Sequence, residues 1–290
     1  MNNEKKIHEF NSFTDISETL LIPLYARAIE SKSKNPIICD KKAIEITNNL
    51  NNYFVHSSSE LHKNLSKGKI RKKLPESLSL RTRKFDQYVL DFIKFKPKSI
   101  IVELGCGLST RYHRIIKNNT EWYDLDVPNV IKIRRKFFQE NDNYHFVSSS
   151  VLDFEWMKLL TKKNSKFLFL AEGLLMYLYE EDDRKLIIKL QQEFPGCHLV
   201  CEMTNSFIIK TLQRKIWRKK FQRDFSLGKN AIFNFGIKES RDLEKWNKGI
   251  DFLDEWTYFD DNEKKLGRIN LFGKIERFRK TQWIVHYKLN

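Results

Sequence analysis

From residue 99 to the C-terminus, short apolar runs alternate with longer stretches of helical periodicity. The runs at 99–104, 121–125, 144–148, 166–171, 198–203, 252–259 and 282–289 are rich in β-branched and aromatic residues and read as strands. Between most of them, apolar residues recur at helical spacing, at 110–117, 130–140, 153–160 and 181–193. Alternation of this kind predicts an α/β fold built on a mostly parallel sheet.

Residues 1–98 carry a different pattern. Thr14-Asp15-Ile16-Ser17-Glu18 supplies polar caps ahead of Leu20, Leu21, Leu24 and Tyr25, a helix start. An amphipathic helix is expected over 40–54, and another through Phe85, Tyr88, Val89, Phe92 and Ile93, ended by Pro97. The polar, basic stretch from His56 to Pro75 reads as a mobile loop or lid. The expected organisation is a helical cap and lid at 1–98 and a core at 99–290, with a basic helical insertion at 205–248. Within that insertion, 205–223 holds seven Lys/Arg and no acid around Phe207, Ile208, Leu212, Ile216, Trp217 and Phe221. It reads as a helix packed over the sheet with its charges in water, and a membrane or RNA surface is the alternative.

Composition refines this only in part. The 290 residues are 41% hydrophobic and 13% aromatic, enough for one packed core. No apolar run approaches the roughly 20 residues of a membrane span. The N-terminal Met1-Asn2-Asn3-Glu4-Lys5-Lys6 leads into no signal-peptide core, and Cys39, Cys106, Cys197 and Cys201 lack metal-ligand spacing. A cytoplasmic protein with reduced thiols is expected. The net charge of +16 is spread along a chain in which basic and acidic residues mix, so it reads mainly as solubilising surface and no nucleic-acid partner is expected.

The chemistry gathers at the strand ends. Ile100-Ile101-Val102-Glu103-Leu104-Gly105-Cys106-Gly107 is an apolar run that stops at an acid and becomes Gly-x-Gly. Such glycines let the chain turn tightly and let a ligand approach the backbone. A dinucleotide fingerprint expects a third glycine where Thr110 stands. Glu103 would repel a pyrophosphate and suits a cationic or hydroxylated ligand. About twenty residues on, Asp124 or Asp126 is placed to bind ribose hydroxyls. Glu172 ends the fourth strand, beside the Gly loop. Arg81 or Arg83, ahead of the first strand, offers a bidentate partner for a carboxylate. These features favour S-adenosyl-L-methionine over NAD.

The strings Val102-Glu103-Leu104-Gly105-Cys106-Gly107-Leu108-Ser109-Thr110-Arg111, Tyr123-Asp124-Leu125-Asp126-Val127-Pro128 and Ala171-Glu172-Gly173-Leu174-Leu175-Met176-Tyr177-Leu178 together resemble the leucine carboxyl methyltransferase family, in particular its polyketide O-methyltransferase branch. Leu24-Tyr25-Ala26-Arg27-Ala28, Arg81-Thr82-Arg83 with Phe85-Asp86, and Asp254-Glu255-Trp256 extend the likeness over nearly the whole chain. The resemblance implies a class I methyltransferase (Rossmann-like) fold. Its sheet would be seven-stranded and mostly parallel with the last strand antiparallel, and its insertion would follow the fifth strand. It places the cofactor arginine on Arg81, with Arg83 as fallback, the glycine contact on Gly105, with Gly107 beside it, and the ribose acid on Asp126. The adenine pair falls on Ser150-Val151, where Ser150 departs from the family's usual Asp and Asp153 is the substitute, and the fourth-strand acid falls on Glu172. The activity implied is O-methyl transfer to a small, anionic acceptor, a carboxylate or an acidic hydroxyl. His113, His145 and His198 have no evident catalytic partner, so no general base is assigned and no metal is expected.

Overall fold

The computed structural model describes residues 20–115, 120–161, 163, 165–224 and 232–290. The cap at Thr14 to Glu18, and the end of the helix expected at 110–117, lie outside the described residues. All seven expected strands form: β1 (Ile100–Leu104), β2 (Glu121–Asp126), β3 (Tyr144–Ser148), β4 (Phe167–Ala171), β5 (Cys197–Thr204), β6 (Ile250–Thr257) and β7 (Gln282–Leu289). They make one sheet in the order β3-β2-β1-β4-β5-β7-β6. β1 to β5 pair in parallel, and β7 runs antiparallel to both β5 and β6. Every residue of β1 and β4 is buried, which is why these strands read as unbroken apolar runs. The chain moves outward from β1 to β3 and then returns to β4 beside β1. That reversal opens a crevice beyond the carboxyl ends of the two central strands.

The helices are α1 (Leu21–Ser31), α2 (Lys41–Phe54), α3 (Glu60–Ser66), α4 (Leu74–Phe95), α5 (Arg111–Ile115), α6 (Pro128–Arg134), α7 (Glu180–Glu193), α8 (Ser206–Leu212), α9 (Lys215–Asp224) and α10 (Glu276–Arg279). Side chains of α1, α2 and α4, among them Leu24, Ile46, Leu50, Leu80, Phe85 and Val89, share one apolar cluster with Ile101, Leu168 and Val200 of the sheet. Residues one position along the strands, such as Val102 and Phe169, point the other way and pack with Leu186 and Leu190 of α7.

Three local expectations change. The segment 56–75 is not a loop throughout. Ser59 caps α3 by accepting from the His62 amide, Ser57 Oγ meets His62 Nδ1 at 2.9 Å, and the His62 ring stacks on Phe54 at 4.0 Å. Burial holds the His62 imidazole down to about 4, so it packs as a neutral ring. The stretch 130–140 is helical only to Arg134, whose guanidinium turns inward under the Gly loop, and 153–160 is a 3₁₀ turn (Phe154–Leu159) capped by Asp153. The insertion at 205–223 splits into α8 and α9. Ile209 and Leu212 are buried, whereas Phe207, Ile216 and Trp217 stay exposed, so only part of it packs over the sheet. Cys106, Cys197 and Cys201 are buried free thiols and Cys39 is an exposed one.

One buried acid stands apart from any ligand chemistry. Asp183 in α7 is wholly buried, and neither of its oxygens finds a hydrogen-bond partner among the described residues. Burial, reinforced by Asp182 and Glu180, pushes its carboxyl up to about 9. A carboxyl raised on folding contributes its stability below the unfolded value near 4, and that contribution is lost as pH rises through the folded value. Across this window the penalty grows by about 1.4 kcal/mol per pH unit. Asp183→Asn removes the titration, so its stability advantage over the parent should widen from about pH 5 to about pH 8. Urea unfolding at several pH values measures this, and a difference independent of pH would refute it.

Candidate functional site

The crevice holds a cavity of about 400 Å³, within the range of small-molecule sites (roughly 300–1,000 Å³). Its floor is the turn after β1. Gly105 and Gly107 both have positive φ, +64° and +51°, a region that side chains disfavour. A Cβ on Gly105 would meet Leu174 at 2.9 Å, and one on Gly107 would meet Leu20 at 3.0 Å. The turn is fastened from β2, where the Asp126 carboxylate accepts from the Gly107 amide and the Val127 amide, each at 2.8 Å.

Asp124, the other acid at the end of β2, is wholly buried and serves the interior. It pairs with Arg134 and accepts from the Trp122 indole at 2.8 Å and from the Tyr144 hydroxyl. The side-chain period of two puts Asp124 and Asp126 on one face of β2, but only Asp126 reaches the cavity wall.

A second wall is built from ion pairs. Arg111 in α5 donates Nε to Asp86 of α4 at 2.9 Å, Nη1 to Glu103 of β1 and Nη2 to Glu172 beyond β4. Arg81 in α4 donates Nε to Glu172 and Nη1 to Glu202 of β5, both at 2.9 Å, and Tyr258 donates to the other oxygen of Glu202 at 3.0 Å. Asp40 ahead of α2 joins the set through Arg27 and Arg114, and Arg114 also grips Asp86. Four guanidinium groups (Arg27, Arg81, Arg111, Arg114) thus face five carboxyls (Asp40, Asp86, Glu103, Glu172, Glu202).

The surplus acid is identifiable. Glu103 is buried and its Oε2 has no partner among the described residues. Burial pushes its carboxyl up to about 7, against the pull of Arg111. Glu172 behaves oppositely: despite its burial, Arg81 and Arg111 hold it down to about 2. Arg81 keeps Nη2 free of partners among the described residues and lines the cavity.

All eight residues singled out in the sequence, Arg81, Glu103, Gly105, Gly107, Asp126, Ser150, Val151 and Glu172, line this one cavity. Arg83 does not: it is half-buried and pairs with Asp261 at 2.9 Å. Asp153 also stays outside the lining and caps the 3₁₀ turn. None of the cavity-lining residues is a histidine. His198 meets His286 at 2.8 Å and Lys96 at 3.1 Å, and His113 stacks between aromatic rings. Arg27, Arg111, Arg114 and Glu202 were not assigned roles from sequence. The first two stand inside the strings that carry the family resemblance, and that was their only signal.

The cavity fits S-adenosyl-L-methionine on its own chemistry. Glu103, with one unpartnered oxygen among the described residues, suits an ammonium, Arg81 Nη2 suits a carboxylate, and Asp126 retains lone pairs for hydroxyls.

Comparison with known proteins agrees. The family model for leucine carboxyl methyltransferase matches residues 21–191. The tetracenomycin polyketide synthesis O-methyltransferase TcmP of Streptomyces glaucescens is 28% identical over 250 residues, 85% of this chain and 84% of that protein. The S-adenosyl-L-methionine-dependent methyltransferase dpfgK of Gibberella zeae is 26% identical over 192 residues, 63% of each chain. The crystal structure of a duf574 family protein from Streptomyces avermitilis superposes with a TM-score of 0.56 at 10% identity, covering 83% of this chain and 96% of that one. The sheet order, the Gly turn at its switch point and the family match together mean that this chain is a class I, S-adenosyl-L-methionine-dependent methyltransferase and belongs to the leucine carboxyl methyltransferase family.

Proposed function

We propose that the protein transfers a methyl group from S-adenosyl-L-methionine to an oxygen of a small molecule, the acceptor being a carboxylate or an acidic hydroxyl. The observation that carries the cofactor half of this reading is the buried, unpartnered Glu103 Oε2 in a cluster with one acid to spare. Glu103 takes the ammonium of the methionyl end and Arg81 its carboxylate. Gly105 and Gly107 admit that end close to the backbone, Asp126 takes the ribose hydroxyls, and Ser150 and Val151 border the adenine. Glu172 has both oxygens engaged by arginines, so its part is to position Arg81.

Bound S-adenosyl-L-methionine supplies a methyl group already activated by the sulfonium charge. The chain therefore has to hold the nucleophile in line, and good alignment is worth roughly 7–11 kcal/mol of barrier. An alcohol would also need a base within hydrogen-bond reach. With no histidine on the wall and with arginines along it, an acceptor that is already anionic near neutral pH suits the site. TcmP is named an O-methyltransferase of polyketide synthesis, and its 28% identity supports the same choice.

Calorimetry tests the cofactor half. Below about pH 7, binding must expel the proton that Glu103 carries. Affinity should therefore fall about tenfold per pH unit below 7 and level off above 8, with proton uptake by the buffer on binding. Glu103→Gln should bind more weakly at pH 8 and lose that slope; an unchanged pH profile would sink the assignment. Asp126→Asn removes a charged acceptor and should raise the Kd about tenfold to a hundredfold. Normal affinity in that variant would place the ribose elsewhere. The acceptor half is tested by S-adenosylhomocysteine formation with panels of small carboxylates, phenols and amines. Turnover confined to the amines would overturn it.

A further inference from the structure

Two exposed segments outside the cavity share one composition. In α8 and α9, Phe207, Ile216 and Trp217 project into solvent, Ile216 being 82% and Trp217 48% exposed. Around them Lys210, Arg214, Lys215, Lys219 and Lys220 are exposed and have no carboxylate partner among the described residues. The connection from β6 to β7 repeats the pattern in part: Asp260, Asp261 and Glu263 are paired with Arg279 and Arg83, and Glu276 is exposed. Leu271 (61% exposed), Phe272, Ile275 and Phe278 are bare, accompanied by Lys264, Arg268 and Lys274, likewise exposed and unpaired among the described residues.

Topology roots these segments side by side. α8 leaves the carboxyl end of β5, and α10 leads into the start of its antiparallel neighbour β7. Thr204 pairs with Gln282 across the two strands, and the Asn205 amide donates to the Thr281 carbonyl at 3.0 Å. Both segments are therefore rooted at one rim of the sheet, the carboxyl end of β5, and the cavity lies beyond the carboxyl ends of the same parallel strands. A chain of aromatic contacts, Tyr177 to Phe233 at 5.1 Å and Phe233 to Phe221 at 5.4 Å, joins the cavity wall to α9.

We propose that this rim is a docking surface for an anionic lipid bilayer, with the bare apolar side chains entering the headgroup region and the unpaired lysines and arginines meeting lipid phosphates. Clustered basic residues around exposed Trp, Phe and aliphatic side chains are the composition of interfacial segments. A second copy of the chain is disfavoured as occupant, since five unpaired cations on one segment and three on the other would confront their equals. RNA is the poorer fit because Ile216, Leu271 and Ile275, aliphatic and among the barest side chains, gain nothing from bases or phosphates, whereas a headgroup region takes them in together with the exposed rings. The inference is independent of the acceptor's identity.

Flotation of the full chain with vesicles decides the matter. Phosphatidylcholine vesicles should leave the protein unbound, and vesicles with about one third phosphatidylglycerol should carry it up. Each surface cation removed weakens such binding about fivefold, so Lys219→Glu with Lys220→Glu should lower it more than tenfold. Ile216→Ser with Trp217→Ser, and separately Leu271→Ser with Phe272→Ser, should each reduce flotation at fixed salt while the circular dichroism spectrum and cofactor affinity stay unchanged. The proposal fails if anionic vesicles do not float the protein at low salt. It also fails if the serine variants float as well as the parent, if structured RNA competes the protein off the vesicles and is itself bound through the same residues, or if sedimentation shows a dimer that Trp217→Ser dissolves.

Discussion

Arg111 is the residue on which the architecture of the site turns. Its three guanidinium nitrogens reach Asp86 in α4, Glu103 in β1 and Glu172 beyond β4, so one side chain ties the N-terminal helices to both strands of the crevice. A planar fork with fixed donor directions can do this, and a lysine could not. Each nitrogen of Arg111 already meets a carboxylate. Arg111 sets where Glu103 and Glu172 stand, and Glu172 in turn orients Arg81. Replacing such a network by apolar residues would cost little net stability, since desolvation of the charges offsets most of their attraction. What the network supplies is a wall whose donors and acceptors are fixed before any ligand arrives, the condition under which alignment lowers a barrier.

The same network explains why two neighbouring acids differ so widely. Glu103 and Glu172 are both enclosed and both touch Arg111. Glu172 is gripped by Arg81 as well and remains ionised, whereas Glu103 has a single arginine, Asp124 nearby and one oxygen without a partner. Burial therefore wins at one and loses at the other. The acid left short of partners is the one a cationic group completes, and it is also the acid directly before the Gly turn. Geometry and charge single out the same end of the cavity.

Much of this was legible in the chain. The seven strands were readable because central parallel strands must be apolar on both faces, and the Gly turn because positive φ and a close backbone approach select glycine. Asp126 and Glu172 could be placed because they follow apolar runs directly. From the residues alone the choice between Asp124 and Asp126 stays open, since Asp124 faces Arg134 in an ion pair that depends on where α6 stops, and only the resemblance points to Asp126. The arginine network was hidden for a similar reason: Arg27, Arg81, Arg111 and Arg114 come from three helices, and no local pattern says which acids they meet. Helix α3 was missed because its stability comes from the Ser59 cap and from the stacking of His62 on Phe54, both invisible to a count of apolar periodicity.

Net charge misleads about the site and informs about the surface. The chain carries +16, yet the ion-pair network behind the cavity holds five carboxyls to four guanidinium groups, and Glu103, Glu172 and the four arginines of that network reach the lining together with Asp126. Screening in water confines each lysine's influence to roughly 10 Å, so surface cations do not decide what a buried wall binds. In the proposed reading the wall takes a ligand with a cationic end, while the field outside gathers anions around the molecule. The two scales suit the reaction proposed above, in which a cationic methyl donor is held by the interior and an anionic acceptor, or the anionic surface proposed to present one, is met by the exterior.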